Sequence, residues 1–198
     1  RAMIEADWEI ASHGLKWVEH RDMAEEEERR QIAEAIRIHT EVTGSRPLGW
    51  YTGRCSMNTT RLVMEEGGFI YSSDDYADDL PYWLKKPGGG RHLIIPYTLD
   101  ANDMRFATPQ GFNTGDHFFS YLRDAFDVLY EEGATNGRVL GIALHPFLIG
   151  SPHRIRYFDR ALAHIASHHF AVLRVLKGRA GTYGRGKPCS ISPVIIND

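Results

Sequence analysis

Two hydrophobic periods alternate along the chain. Trp8-Glu9-Ile10-Ala11-Ser12 is a short β-branched and aromatic run that stops at His13-Gly14, and it predicts a strand delivering His13 at its C-terminal end. Asp22 and Glu25 then have capping-box spacing. Ile32, Ala33, Ile36 and His39 recur at three- and four-residue steps until Gly44, which predicts an amphipathic helix. The acidic block Glu25 to Glu28 falls at its N-terminus, where the helix dipole favours negative charge, and reads as a solvated face. Arg46-Pro47-Leu48-Gly49-Trp50-Tyr51 is barred from helix at its proline and reads as an extended segment.

A short helix is predicted over Thr59 to Glu66, capped by Asn58 and closed by Gly67-Gly68, then a buried strand at Phe69-Ile70-Tyr71. Ser72 to Trp83 is dense in carboxylates and aromatics, Lys85 to Gly90 is turn-rich, and Leu93 to Tyr97 reads as a further strand. Phe119, Leu122, Phe126 and Leu129 share one helical face between Thr114 and Gly133. Val139 to Leu144 is a continuous apolar strand ending at His145, and Ser151-Pro152 starts a last helix lined by Ile155, Phe158, Leu162 and Ile165. Near-continuous apolar strands alternating with amphipathic helices predict an α/β fold of parallel strands covered by helices, in which functional groups collect at the C-terminal ends of strands.

Composition narrows the partners. The 198 residues suit one domain, and 23 basic against 26 acidic residues leave a net charge of −3, so no basic field is available for a nucleic acid or an anionic membrane. Two cysteines, Cys55 and Cys189, make no disulfide scaffold. No apolar run reaches a membrane-spanning length, so a soluble, cytoplasmic protein is expected. After His168 the chain turns basic and glycine-rich, and residues 169–198 read as an atypical tail on a domain of residues 1–168.

His13, Arg46, Asp74 and His145 supply a proton-handling imidazole, an orienting carboxylate and an anion-holding guanidinium, provided strand ends bring them together. Such parts suit hydrolysis of an acyl–nitrogen bond, which needs a base for water, donors for the oxyanion and an acid for the leaving nitrogen.

The segments Glu9 to Gly14, Arg46 to Tyr51, Ser73 to Trp83 and Leu144-His145, in that order, resemble the NodB-homology polysaccharide deacetylase superfamily. Within it, Gly49-Trp50-Tyr51-Thr52-Gly53-Arg54 and Asp78-Asp79-Leu80-Pro81-Tyr82-Trp83 are similar to the metal-independent bacterial allantoinases of urate catabolism. The resemblance implies a distorted (β/α) barrel, incomplete at its first strands, and ring-opening hydrolysis of allantoin or a related cyclic ureide. It also implies His145 as general acid, Arg46 supporting a catalytic carboxylate, and Asp74 or Asp78 orienting the histidine. His13, Trp50, Tyr82 and Trp83 become substrate contacts.

The superfamily usually places a second metal-binding histidine four residues after the first, where this chain has Trp17, with His20 three residues further on. An indole cannot replace an imidazole ligand, so no metal cofactor is expected. The alternative is a zinc-dependent deacetylase of N-acetylated sugars using His13 and His20. The family's opening Thr-Phe-Asp-Asp-Gly motif, with its catalytic base, is absent, so a noncatalytic fragment or subunit is a third reading. Strand edges exposed by a partial barrel lead us to expect a homo-oligomer.

Overall fold

In the computed structural model, which describes residues 1–6, 8–169, 171, 174–175 and 194–197, Arg1–Tyr97 form one compact unit and the described residues from Thr98 onward a second. The first unit opens with a helical turn, α1 (Ala2–Glu5), and an extended segment that ends in an isolated parallel bridge between Ser12 and Trp50. The strand expected over Trp8 to Ser12 shrinks to that bridge. Gly14, at φ 78°, turns the chain away two residues later.

Helix α2 (Glu25–Thr43) carries the expected period and closes on Gly44 at φ 82°, a left-handed conformation that glycine adopts without steric cost. Its N-cap is Ala24, with no side-chain capping bond, so Asp22 does not cap it. The acidic block divides by period. Glu25 and Glu27 pair with Arg29, Arg61 and Arg30 at the surface, but Glu28 is fully buried. It accepts hydrogen bonds from Ser56 Oγ at 2.7 Å and from Thr59 Oγ1, and meets His20 Nδ1 at 3.1 Å. One of the four glutamates therefore belongs to the interior, with hydrogen-bond partners on both oxygens.

β1 (Gly49–Trp50), helix α3 (Thr59–Glu66), β2 (Tyr71–Ser72), β3 (Tyr82–Lys85) and β4 (Arg91–Ile94) follow. The sheet order is β1-β2-β4-β3, with the first three strands parallel and β3 antiparallel to β4. The turn-rich Lys85 to Gly90 segment is the tip of this hairpin. Trp50, Leu62, Val63 and Phe69 pack with Ile32 and Ala35 of α2 into one core. Gly49 is required there, because a Cβ would fall 2.0 Å from the Tyr71 ring.

The second unit holds a 3-10 turn (Asp103–Phe106), helix α4 (Gly115–Glu132), β5 (Gly141–Leu144), the short α5 (Pro146–Ile149) and α6 (Pro152–Ala166). Thr114 caps α4 by accepting from His117 N at 3.2 Å. Phe118, Leu122 and Phe126 of α4 meet Phe158, Ala161 and Ile165 of α6 over Leu140 and Ile142. Two further strands, β6 (Arg174–Val175) and β7 (Val194–Asn197), lie in the segment read as a tail, and β5 pairs with β7 in parallel. Residues 170, 172–173, 176–193 and 198, with Cys189 among them, lie outside the described residues. Among the described residues no helix is long and apolar enough to cross a membrane.

Candidate functional site

The buried run of β5 ends at Leu144 and delivers His145 at the strand's C-terminal end, as its apolar pattern predicts. Beside it runs Ala101-Asn102-Asp103. Asn102 bridges Ala143 in parallel, and Ala143 N donates to Ala101 O at 2.9 Å. That register brings the Asp103 carboxylate onto His145. Its two oxygens accept the His145 backbone N–H at 2.9 and 3.0 Å, and Oδ1 lies 2.6 Å from His145 Nδ1. Asp103 is fully buried and His145 is 7% exposed. Burial pushes the Asp103 carboxyl above its ordinary value, opposed by the hydrogen bonds and charge of His145. A carboxylate only accepts, so Nδ1 carries the proton and Nε2 is the basic atom of the ring. This is an oriented acid–base group.

In the first unit, Asp74 follows β2 and faces the turn after β1. Its carboxylate accepts from Thr52 N at 2.9 Å and Gly53 N at 2.7 Å. Gly53 sits at φ 71°, which lets both amides point at one carboxylate. Burial raises the Asp74 carboxyl, while those amides and the charges of His13 and His20 lower it. His13 stands edge-on to Tyr51 with ring centroids 5.1 Å apart, and Tyr51 stacks on Tyr97 at 4.3 Å. Thus His13 and Asp74 do gather at strand ends, beside tyrosines that the sequence reading did not single out.

Other expected residues fall elsewhere. Arg46 precedes β1 and pairs with Glu66 at 2.8 Å, its guanidinium packed where a Cβ on Gly68 would stand. Gly68 precedes β2 and Asp74 follows it, and the ion-pair partner of Arg46 is Glu66. Trp50 is 1% exposed and edge-on to Phe69, a core residue rather than a pocket wall. Tyr82 donates to Asp75 Oδ2 at 2.7 Å, and its phenol is pushed up to about 12 by burial and then by Asp75. Trp83, on β3, is 41% exposed. Asp78 accepts from Leu80 N at 3.1 Å, a local turn bond at the surface. His145 is held by Asp103, a residue the sequence reading did not name. The signal for Asp103 was slight: an Asn-Asp pair opening a stretch in which sequence periodicity places no element.

The zinc alternative needs His13 and His20 to converge with a carboxylate. His20 is buried and turns Nδ1 toward Glu28. Among the described residues, neither histidine belongs to a group of three ligands close enough to share an ion.

No protein-family model matches the chain. A Schizosaccharomyces pombe protein named as a polysaccharide deacetylase is 39% identical over 182 residues, 84% of this chain and 57% of that protein. The crystal structure of PuuE allantoinase superposes with a TM-score of 0.83 at 58% identity, over 85% of this chain and 56% of the other. A Pseudomonas aeruginosa structure, also named as a polysaccharide deacetylase, gives 0.82 at 57% identity, over 85% and 57%. The chain therefore spans little more than half the length of the proteins it matches. Identity at this level, carried through a shared mixed α/β fold, identifies the chain as a member of the polysaccharide deacetylase superfamily of the NodB-homology type.

Proposed function

We propose that the chain carries part of a hydrolase of carbon–nitrogen bonds, and that its substrate is allantoin, opened to allantoate. The observation that carries this reading is the buried Asp103–His145 pair. Breaking an amide bond requires a proton on the departing nitrogen, because an amide anion is too basic to leave. In the proposed reaction the oxygen of water bonds to the ring carbonyl carbon and the ring C–N bond breaks. Nε2 of His145, the basic atom of the ring, takes one proton from the attacking water and passes it to the freed nitrogen, and the carboxylic acid produced loses water's second proton to solvent. Asp103 holds the ring and stabilises its cationic form. No step is routed through a metal ion.

A second reading, deacetylation of an N-acetylated sugar, is favoured by the near-equal similarity to the P. aeruginosa protein, and it uses the same acid. Assay of the chain, and of a version extended to the length of its relatives, separates the two. Allantoin consumption without acetate release supports the first reading. Acetate release from N-acetylglucosamine oligomers, without allantoin consumption, overturns it.

A further inference from the structure

We propose that Asp127 on α4, with His164 on α6 and His168 just beyond it, forms a binding site for a divalent transition-metal ion of the zinc class that staples the two helices together. One potential ligand atom from each residue lies within 4.8 Å of the others. His164 Nε2 already meets Asp127 Oδ1 at 2.6 Å. His168 Nδ1 lies 2.9 Å from the His164 carbonyl, a contact that only N–H can make, so Nε2 of that ring carries the lone pair. Metal-binding histidines are commonly oriented this way, one nitrogen donating to a carbonyl while the other takes the ion. Both rings are set edge-on against Phe126, and His168 also against Tyr130.

An ordinary ion pair explains Asp127 with His164, but not the third ligand brought to the same place by four-residue spacing. Tetrahedral zinc with bonds of about 2.0–2.1 Å needs ligand atoms about 3.3 Å apart. Rotations of three partly exposed side chains supply the difference. On binding, His164 shifts its ring proton from Nε2 to Nδ1, and the ion takes that proton's place between imidazole and carboxylate. Two imidazoles and one carboxylate suit zinc, nickel or copper, and not calcium or magnesium, which prefer oxygen. Three protein ligands leave a position for water.

The test is titration of the metal-stripped full chain with zinc chloride against a chromophoric chelator, with bound zinc counted by mass spectrometry. The expected result is one high-affinity equivalent, weakened at least tenfold in His168→Gln and in His164→Gln and retained in His153→Gln, a control on α6. Zinc should also raise the melting temperature of the parent and not of His168→Gln, whose circular dichroism reports whether it folds. Failure of the parent to hold zinc at micromolar concentration, or undiminished binding in both His164→Gln and His168→Gln, overturns the site.

Discussion

Asp103 and His145, 42 positions apart in sequence, share a 2.6 Å hydrogen bond between carboxylate and imidazole, and the same carboxylate also accepts the His145 backbone N–H. Ring and main chain are thus fixed by one buried group. The Nδ1-protonated tautomer should dominate in the neutral ring, which the ring nitrogen chemical shifts of His145 report. Asp103→Asn can present an amide N–H to Nδ1 and should shift that balance toward the other tautomer. Unchanged ring shifts would show that Asp103 does not set the tautomer.

His92 supplies a pH dependence of stability. It is fully buried against Ser72, with Nε2 3.0 Å from the hydroxyl. Burial, then the charge of Lys86, pushes its imidazole down to about 4 from 6.5. The folded state then binds fewer protons than the unfolded state between those values. The stabilisation is full above pH 6.5 and is lost as pH falls toward 4, by about 3 kcal/mol. Urea midpoints measured across that range should fall, and should fall less steeply in His92→Gln.

Glu28 should be the most sensitive of the four consecutive glutamates. Removing it leaves His20, Ser56 and Thr59 facing an empty place in the interior, so Glu28→Ala should cost about 3–5 kcal/mol. Glu26→Ala, on the exposed side of the same helix turn, should change stability by less than about 0.5 kcal/mol. Chemical denaturation with an unchanged m-value measures both.

Gly49→Ala should destabilise through overpacking. The new methyl would overlap the Tyr71 ring, which is itself buried and hydrogen-bonded to Glu9. A loss of about 1–3 kcal/mol is expected, and Gly49→Ala combined with Tyr71→Phe should not recover it, because the clash involves ring carbons as well as the hydroxyl. Thermal melts of the single and double variants check this.

Much of the architecture was legible because its causes are local. The four-residue spacing of α2, the Gly44 stop and the apolar run into His145 each act within a few positions. What was not legible depends on register between distant segments. Asp103 meets His145 only because Asn102 bridges Ala143, and no periodicity announces that pairing. Arg46 looked like a catalytic support in one dimension. In three it lies at the N-terminal end of its strand, beside Glu66, while chemistry gathers at the other end. Trp50 shows the commoner fate of a large aromatic, which is burial. Likewise Glu28 differs from its neighbours only in facing inward, a fact that period suggests but charge conceals.

The most direct test of the account is the turnover of His145→Gln with allantoin, measured in the protein extended to the length of its relatives and paired with a melting curve. The account predicts a fall in kcat of about 10² to 10⁴ with the melting temperature held near that of the parent. Turnover equal to the parent's in a folded variant would contradict it.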